Sequence, residues 1–200
     1  MRIGIMGGTF NPIHNGHLLI AENAYHQFHL DKILFMVAGN PPHKTNLTVV
    51  DSSHRCQMVK EAILNVPYFE LDEREVHNQR LSYTYLTLTE LKQSHPEDEF
   101  FFIMGADSLL YFEKWRNPEI ILEKATVLIA VRDMVDSDKV LSTAKEITKK
   151  LGGTMDLIQT PMFDVSSNNI RSRIANKDTV RYLLPDSVID YIKKNNLYTL

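Results

Sequence analysis

Two histidines and a pair of glycines near the start of the chain have the types and spacing that point most directly to chemistry. A short apolar run ends in Gly7 and Gly8, and His14 and His17 follow where an apolar helical pattern begins. A strand, a glycine turn and a helix start together form a phosphate site, because free backbone N–H groups and the positive helix end both face an anion. Two imidazoles three residues apart project to the same side of a helix. The pattern therefore predicts a polyphosphate site with two imidazoles beside it.

Each part of this pattern also has a simpler interpretation. A Gly-Gly pair after a strand is usually a plain turn, and the spacing matches neither G-x-G-x-x-G nor the Walker loop. Two histidines near one helix end can bind zinc, but no cysteine pair or His-Glu-x-x-His motif accompanies them. The combination of Gly-Gly-Thr-Phe with His-x-Gly-His is far more specific than its parts, and it favours the phosphate interpretation.

Strand-like and helix-like segments alternate along the chain. We expect strands near 2–6, 32–38, 69–71, 99–105, 126–131 and 154–157, and helices near 16–28, 52–65, 83–93, 118–124, 135–151, 168–176 and 186–195. Most of the strands are continuous apolar runs, which is typical of parallel strands buried on both faces. The prediction is an α/β fold: a Rossmann-like, doubly wound, mainly parallel sheet with helices on both faces, in one domain over 1–200. Ligands of such folds bind beyond the carboxyl ends of the strands.

Composition narrows the classes of partner and compartment. The 200 residues carry a net charge of −3, which offers no broad basic face, so we expect no nucleic-acid partner. The single cysteine, Cys56, excludes an internal disulfide and lies in an apolar helical pattern typical of a core. No stretch is long enough to span a membrane and no signal peptide is evident, so we expect a cytoplasmic protein without a membrane partner. Self-association into a homo-oligomer stays open.

The acidic cluster at residues 70–75 is interpreted as a solvated surface segment.

Further motifs extend the pattern over nearly the whole chain, at residues 7–17, 40–44, 82–84, 105–107 with Trp115, and 166–171. At these residues the chain resembles the nucleotidyltransferase superfamily with the His-x-Gly-His motif, and within it the bacterial nicotinate-mononucleotide adenylyltransferases. The resemblance implies adenylyl transfer from ATP to nicotinate mononucleotide, giving deamido-NAD and pyrophosphate in NAD biosynthesis. It also implies Mg²⁺ bound with ATP, for which we expect no dedicated protein ligands. Three positions depart from the family pattern: Asn11 and Leu86 replace an Asp, and Asn168 replaces a Thr.

On the ATP side, the resemblance implies that His14, His17 and Arg171 are catalytic. Arg171 belongs to a second phosphate motif at a helix start, in a helical C-terminal portion of about 166–200, where capping hydroxyls and amides can hold phosphate. The residues expected to bind ATP are Gly7, Gly8, Thr9, Phe10, His14, His17, Gly105, Asp107, Arg132, Ser166, Ser167 and Arg171. Core packing of Phe10 and an ordinary helix cap at the serines are the alternatives.

On the mononucleotide side, the expected binding residues are Asn40, His43, Lys44, Ser82, Tyr83, Thr84 and Trp115. Lys44 is a point charge suited to a phosphate, and Trp115 can stack on a pyridine ring. Ser82 is expected to cap a helix, whose free amides near Thr84 would suit a carboxylate better than a carboxamide. A solvated Lys44 and a core Trp115 are the alternatives.

Two other functions stay open at the level of sequence. The first is an adenylyltransferase for another phosphate acceptor, either nicotinamide mononucleotide or phosphopantetheine. The second is a nucleotide-binding protein without catalytic activity, although retention of His14, His17, Lys44 and Arg171 argues against it.

Overall fold

A computed structural model describes residues 1–40, 49–78, 80–131, 137–161 and 163–199, and within them six strands form one parallel sheet. The strands are β1 (Arg2–Gly8), β2 (Lys32–Val37), β3 (Phe69–Asp72), β4 (Glu99–Gly105), β5 (Thr126–Ala130) and β6 (Met155–Ile158). Their order in the sheet is β3-β2-β1-β4-β5-β6, and every neighbouring pair is parallel. The predicted Rossmann-like, doubly wound fold class is confirmed.

Helices connect the strands. They are α1 (Asn15–Gln27), α2 (Ser52–Ile63), α3 (Thr84–Ser94), α4 (Ala106–Leu109), α5 (Pro118–Lys124), α6 (Ser137–Leu151), α7 (Ser167–Ala175) and α8 (Asp186–Lys194). The predicted strand and helix boundaries agree with these within two residues, apart from the first two residues of the helix expected at 135–151, which lie outside the described part of the chain. The short α4 was not predicted, because four residues are too few to show a helical period. None of the described helices is long and apolar enough to span a membrane.

Both faces of the sheet are buried because each strand alternates its apolar side chains between them. In β2, Ile33, Phe35 and Val37 pack in one cluster with α1, α2, α7 and α8. Leu34 and Met36 pack in the other, with α3, α4, α5 and α6. A strand that packs against helices on both faces needs an apolar side chain at every position. This explains the uninterrupted hydrophobic sequences of the strands.

The strand order reverses between β1 and β4. From β1 the chain builds outward through β2 to β3, and β4, β5 and β6 extend the sheet in the opposite direction. The helices that follow β1 and β4 leave a crevice at the carboxyl ends of these two strands, which is where doubly wound folds bind ligands. Gly7 and Gly8 end β1, and Gly105 ends β4.

Candidate active site

His14 and His17 lie at the start of α1 with their rings stacked. His14 is the N-cap residue, the ring centroids are 3.6 Å apart, and the ring planes differ by 22°. The backbone N–H of His14 donates a hydrogen bond of 3.2 Å to Nδ1 of His17. Because Nδ1 is the acceptor, the neutral ring of His17 carries its proton on Nε2, which becomes the donor nitrogen.

The two imidazoles differ in exposure. His14 is only 2% exposed, which leaves its ring little surface for a direct phosphate contact, and this ring packs against that of His17. The ring of His17 is half-buried and lines a cavity. Phe10 is also 2% exposed and meets His17 edge to face at 5.1 Å. The side chain of Phe10 is thus part of the core, and only its main chain remains available to a nucleotide.

The late serine motif lies directly against this first motif. Ser166 caps α7 by accepting a 3.2 Å hydrogen bond from the backbone N–H of Asn169. Ser167 donates through Oγ to the carbonyl oxygen of Pro12 at 2.8 Å, and Arg171 donates through Nη1 to the carbonyl of Asn11 at 2.8 Å. The structure therefore brings the two predicted phosphate motifs together from opposite ends of the chain.

Gly16 explains how closely the two motifs can approach. A Cβ atom at this position would lie 2.7 Å from Cγ1 of Val165, the residue just before the serine pair. Such a distance is well below van der Waals contact. Packing between the His-x-Gly-His motif and the residue before the late serine motif therefore requires a glycine at position 16.

The first of two neighbouring cavities, here named the His17 cavity, has a volume of about 220 Å³. Its lining includes Gly7, His17, Gly105, Asp107 and Trp115. Gly7 lies at the carboxyl end of β1 and Gly105 at that of β4, while Asp107 is in the first turn of α4. This cavity thus lies at the reversal of strand order and is lined by predicted residues from two motifs, 7–17 and 105–107 with Trp115.

The second cavity, the Glu75 cavity, has a volume of about 270 Å³. Its lining includes Gly7, Gly8, Thr9, Ala38, Glu75, Ser82, Thr84, Thr87 and Trp115. Three residues, Gly7, Phe102 and Trp115, line both cavities. The two cavities are therefore adjacent compartments with a common wall, and together they contain predicted residues of both substrate sides.

Ser82 does not cap α3, so this prediction is wrong. The N-cap residue is Tyr83, and it makes no side-chain capping hydrogen bond. Ser82 instead pairs with Asn40: its N–H donates to the carbonyl of Asn40 at 3.0 Å, and its Oγ accepts from the N–H of Asn40 at 3.3 Å. Because the serine is held in this extended pairing, the helix begins two residues later, at Thr84, and its first amides receive no side-chain cap from Tyr83.

Glu75 is a pocket residue that the sequence did not reveal. Its Oε1 accepts a 2.6 Å hydrogen bond from the hydroxyl of Thr87, which is 3% exposed. The interpretation of 70–75 as a solvated run is therefore wrong at this residue. The other acidic residues of the run form ion pairs, such as Glu70 with Lys32 at 2.8 Å. Nothing in the local pattern separates Glu75 from them, since its partner lies on a different element.

Trp115 is half-buried and packs against the core with one edge. Its ring centroid lies 6.1 Å from that of Phe102 and 5.5 Å from that of Phe112. It also lines an adjoining cavity with Tyr83 and Arg116, where the Arg116 guanidinium lies 5.2 Å from the centre of the Tyr83 ring. Trp115 is thus both a core residue and a wall shared by the cavities.

Asn11, the first departure from the family pattern, is buried and structural. It is 3% exposed, and its Oδ1 accepts from the Tyr198 hydroxyl at 2.9 Å and from the Val50 N–H at 3.3 Å. Burial raises the pKa of Tyr198 well above its ordinary value, which keeps the phenol protonated and able to donate.

The other two departures from the family pattern are Leu86 and Asn168. Leu86 lies in the first turn of α3. The side-chain oxygen of Asn168 accepts a hydrogen bond from Arg171 Nη2 at 3.1 Å.

Three predicted binding residues, His43, Lys44 and Arg132, lie outside the described residues. Within the part of the chain that the structure describes, no group of three His, Cys, Asp or Glu side chains could hold a metal ion. The predicted phosphate side offers an imidazole, a guanidinium, hydroxyls and main-chain amides, which can all donate to anions, and Asp107 adds one carboxylate to the lining of the His17 cavity.

Comparisons with known proteins identify the family of the chain. Residues 5–173 match the model of the cytidylyltransferase-like family. A "Probable nicotinate-nucleotide adenylyltransferase" of Lachnoclostridium phytofermentans is 42% identical over 98% of each chain, and another of Clostridium novyi is 38% identical over 98% of each. Both alignments run almost from end to end.

Solved structures show the same fold. Plasmodium falciparum nicotinic acid mononucleotide adenylyltransferase complexed with NaAD superposes with a TM-score of 0.81 at 23% identity, covering 98% of this chain and 97% of that one. The same enzyme complexed with APC gives a TM-score of 0.79 at 23% identity, covering 98% and 96%. From the family match and the full-length relatives, the chain belongs to the cytidylyltransferase-like family and, within it, to the nicotinate-nucleotide adenylyltransferases.

Proposed function

We propose that the protein transfers the adenylyl group of ATP to nicotinate mononucleotide, forming deamido-NAD and releasing pyrophosphate. The observation that carries this proposal is the common wall of the His17 cavity and the Glu75 cavity at the carboxyl ends of β1 and β4. Two substrates in adjacent compartments can meet across Gly7, where no side chain separates them. The relatives are named as nicotinate-nucleotide adenylyltransferases, and the Plasmodium falciparum enzyme of the same fold is complexed with NaAD.

The reaction needs alignment more than it needs proton transfer. An oxygen of the acceptor 5′-phosphate forms a bond to the α-phosphorus of ATP, and the bond from that phosphorus to the bridging oxygen breaks as pyrophosphate leaves. Because the attacking phosphate is already an anion at neutral pH, no general base is required. Catalysis then comes from positioning the two polyanions and stabilising the developing charge.

His17 and Arg171 are the groups that we assign to the ATP phosphates. The proton on Nε2 of His17 is a donor to a phosphate oxygen, and its position is fixed by the hydrogen bond at Nδ1. Arg171 uses one terminal nitrogen on the carbonyl of Asn11 and the other on Asn168. A guanidinium has five N–H donors, so this anchored cation can still donate to phosphate. Arg132 would add a second cation to the same side.

The start of α3 is where we place the carboxylate of nicotinate. Tyr83 leaves the first amides of this helix without a side-chain cap, and Thr84 lines the Glu75 cavity. A carboxylate only accepts hydrogen bonds, whereas a carboxamide would turn an N–H₂ toward one of these donors and leave it unpaired. That mismatch costs about 1–3 kcal/mol, or roughly five- to a hundredfold in discrimination.

The remaining polar groups fit the rest of the mononucleotide. Trp115 offers a ring face for the pyridine, and Lys44 and His43 would neutralise the acceptor phosphate. Glu75 repels both anionic ends of the substrate, so it is best matched to the neutral ribose hydroxyls between them, which can donate to a carboxylate. Asp107 is the corresponding acceptor for the ribose of ATP in the His17 cavity.

Mg²⁺ enters this proposal with ATP. When bound to the triphosphate it would withdraw charge from the phosphate oxygens. The described residues near the triphosphate side do not provide a carboxylate cage, so the ion would be held mainly by phosphate oxygens and water. The residues of the protein itself would act on the oxygens that the ion leaves uncovered.

A side-by-side turnover assay tests the proposed function. Pyrophosphate release is measured with ATP and each of three acceptors: nicotinate mononucleotide, nicotinamide mononucleotide and phosphopantetheine. We expect the highest kcat/KM with nicotinate mononucleotide. Preference for either of the other acceptors rejects the substrate assignment, and ATP binding without pyrophosphate release from any acceptor rejects the activity.

A further inference from the structure

Arg55, on the first turn of α2, is the most deeply buried cation among the described residues. It is 2% exposed, and within the described ranges the acceptors of its guanidinium are main-chain carbonyls. Nε bonds to Val50 at 3.1 Å, and Nη1 bonds both to Thr9 at 2.9 Å and to Ala38 at 2.8 Å. A single guanidinium thus joins the segment after β1, the segment after β2 and the residue two positions before α2.

This arrangement is costly to build. Removing a charge from water is unfavourable unless the ion is paired and hydrogen-bonded. None of the ion pairs found among the described residues includes Arg55, and burial lowers the pKa of its guanidinium. The hydrogen bonds to three carbonyl oxygens offset the cost of burying this charge. A guanidinium has the planar, forked geometry to serve them together, and the single ammonium of a lysine does not.

Two of the three carbonyls belong to residues of the substrate pocket. Thr9 and Ala38 both line the Glu75 cavity, and they follow neighbouring strands, since Gly8 pairs with Val37 in the register of β1 and β2. Their carbonyl oxygens would repel one another if they approached the same point without a cation. A main-chain hydrogen bond of 2.9 Å from the Ala38 N–H to the Gly8 carbonyl also joins these segments. Nη1 of Arg55 adds a bond to each of the two carbonyls beyond it and so limits how far apart these parts of the cavity wall lie.

We propose that Arg55 is a positioning residue for the transfer reaction: by holding the Thr9 and Ala38 carbonyls on one nitrogen, it fixes the mononucleotide compartment relative to the segment Gly7–Phe10. The inference rests on the proposed two-substrate function. Arg55 touches neither substrate and acts through these main-chain segments. Its loss therefore disturbs the alignment of the acceptor phosphate with the α-phosphorus more than it disturbs binding of ATP.

The test compares Arg55→Met with Arg55→Lys and with a control, Val59→Ala. Val59 lies one turn later on α2 and is 0% exposed, so its truncation weakens the same helix without touching Thr9 or Ala38. Turnover is measured per folded molecule, with KM for both substrates and the unfolding midpoint. For Arg55→Met we expect kcat to fall about a hundredfold, because small misplacements have effects of that size. KM for ATP should change less than about threefold.

The control separates positioning from stability. We expect Val59→Ala to lower the unfolding midpoint and keep kcat within about twofold, and Arg55→Lys to lose about tenfold in kcat because one ammonium replaces a fork of donors. If kcat per folded molecule in Arg55→Met stays within about twofold of the parent value, Arg55 contributes only to stability and the proposal is overturned. If Arg55→Met does not fold, the test uses Arg55→Lys, and a kcat per folded molecule within about twofold of the parent value overturns the proposal.

Failure of the proposed function would look different. If the unmodified protein prefers another acceptor, the substrate assignment falls, but the same variants can be compared with that acceptor. The positioning role is then supported or overturned on its own.

Discussion

His14 supports the ring of His17 in two independent ways: the rings stack with centroids 3.6 Å apart, and the backbone N–H of His14 donates to Nδ1 of His17. The stacking fixes the plane of the outer ring, and the hydrogen bond fixes its tautomer. A buried imidazole thus orients a half-buried one at the wall of a cavity. This relationship makes His17, of the two, the imidazole whose removal should affect the reaction most directly.

Replacement of His17 with Ala should lower kcat by about 10²- to 10³-fold, the usual effect of removing one donor that stabilises developing charge. His17→Gln places an amide N–H₂ near the position of Nε2 and should recover part of the loss. Steady-state kinetics and circular dichroism on the same samples provide the measurement. His26→Ala is the matched control, because His26 lies on the same helix with a side chain that is 67% exposed. Near-parental turnover of His17→Ala would remove this residue from the mechanism.

Much of this site follows from patterns that are local in the sequence. Uninterrupted apolar runs such as 33–37 predict strands with two buried faces, and the polar motifs come directly after those strands, so their meeting at one edge of the sheet could be expected. The helix starting near residue 83 was also predictable, but its first residue was not, because the pairing of Ser82 with Asn40 joins segments 42 residues apart.

The supporting residues could not be predicted for the same reason. Arg55 and Glu75 belong to residue types that are usually exposed, and Tyr198 to a type of intermediate burial. What makes them important is a contact with a distant segment, such as the hydrogen bond between Tyr198 and Asn11 across 187 positions. Sequence periodicity carries no information about such pairs, since it reports only which face of an element is apolar.

Gly16→Ala should destabilise the protein by about 1–3 kcal/mol, the usual cost of overpacking. Its new Cβ would meet Val165 Cγ1 at 2.7 Å. Adding Val165→Ala removes that methyl group, so the double variant should be more stable than the sum of the two single changes predicts. Urea unfolding of the four proteins gives the coupling energy. Additivity within error would contradict the contact between the first and second phosphate motifs.

Asn11 should tolerate Asp but not Ala. Asp keeps an oxygen for the Tyr198 hydroxyl and the Val50 N–H, whereas Ala removes the acceptor of both part-buried donors, at a cost of up to about 1–3 kcal/mol for each donor. Tyr198→Phe is the control, since it removes only one donor and should cost about 0.5–1.5 kcal/mol. Thermal unfolding of the three variants measures these differences. Equal stability of Asn11→Ala and the parent protein would show that the acceptor role is unimportant.

Cys56 should be unreactive in the folded protein. The side chain is 3% exposed, and burial raises the pKa of its thiol to about 11, so the thiolate that reacts with iodoacetamide is scarce at pH 8. Labelling followed by mass spectrometry should give slow alkylation in buffer and complete alkylation in denaturant. Stoichiometric labelling of the native, active enzyme would contradict the burial.

The same shift predicts a pH dependence of stability. Because the pKa is raised in the folded state from its ordinary value of 9.0 to about 11, the unfolded chain loses this proton first as the pH rises. The contribution of Cys56 is therefore complete below about pH 9 and is lost between about pH 9 and 11. Cys56→Ala should show a smaller decrease in the free energy of unfolding over this range than the parent protein. Parallel pH profiles for the two proteins would show that the thiol titrates equally in both states.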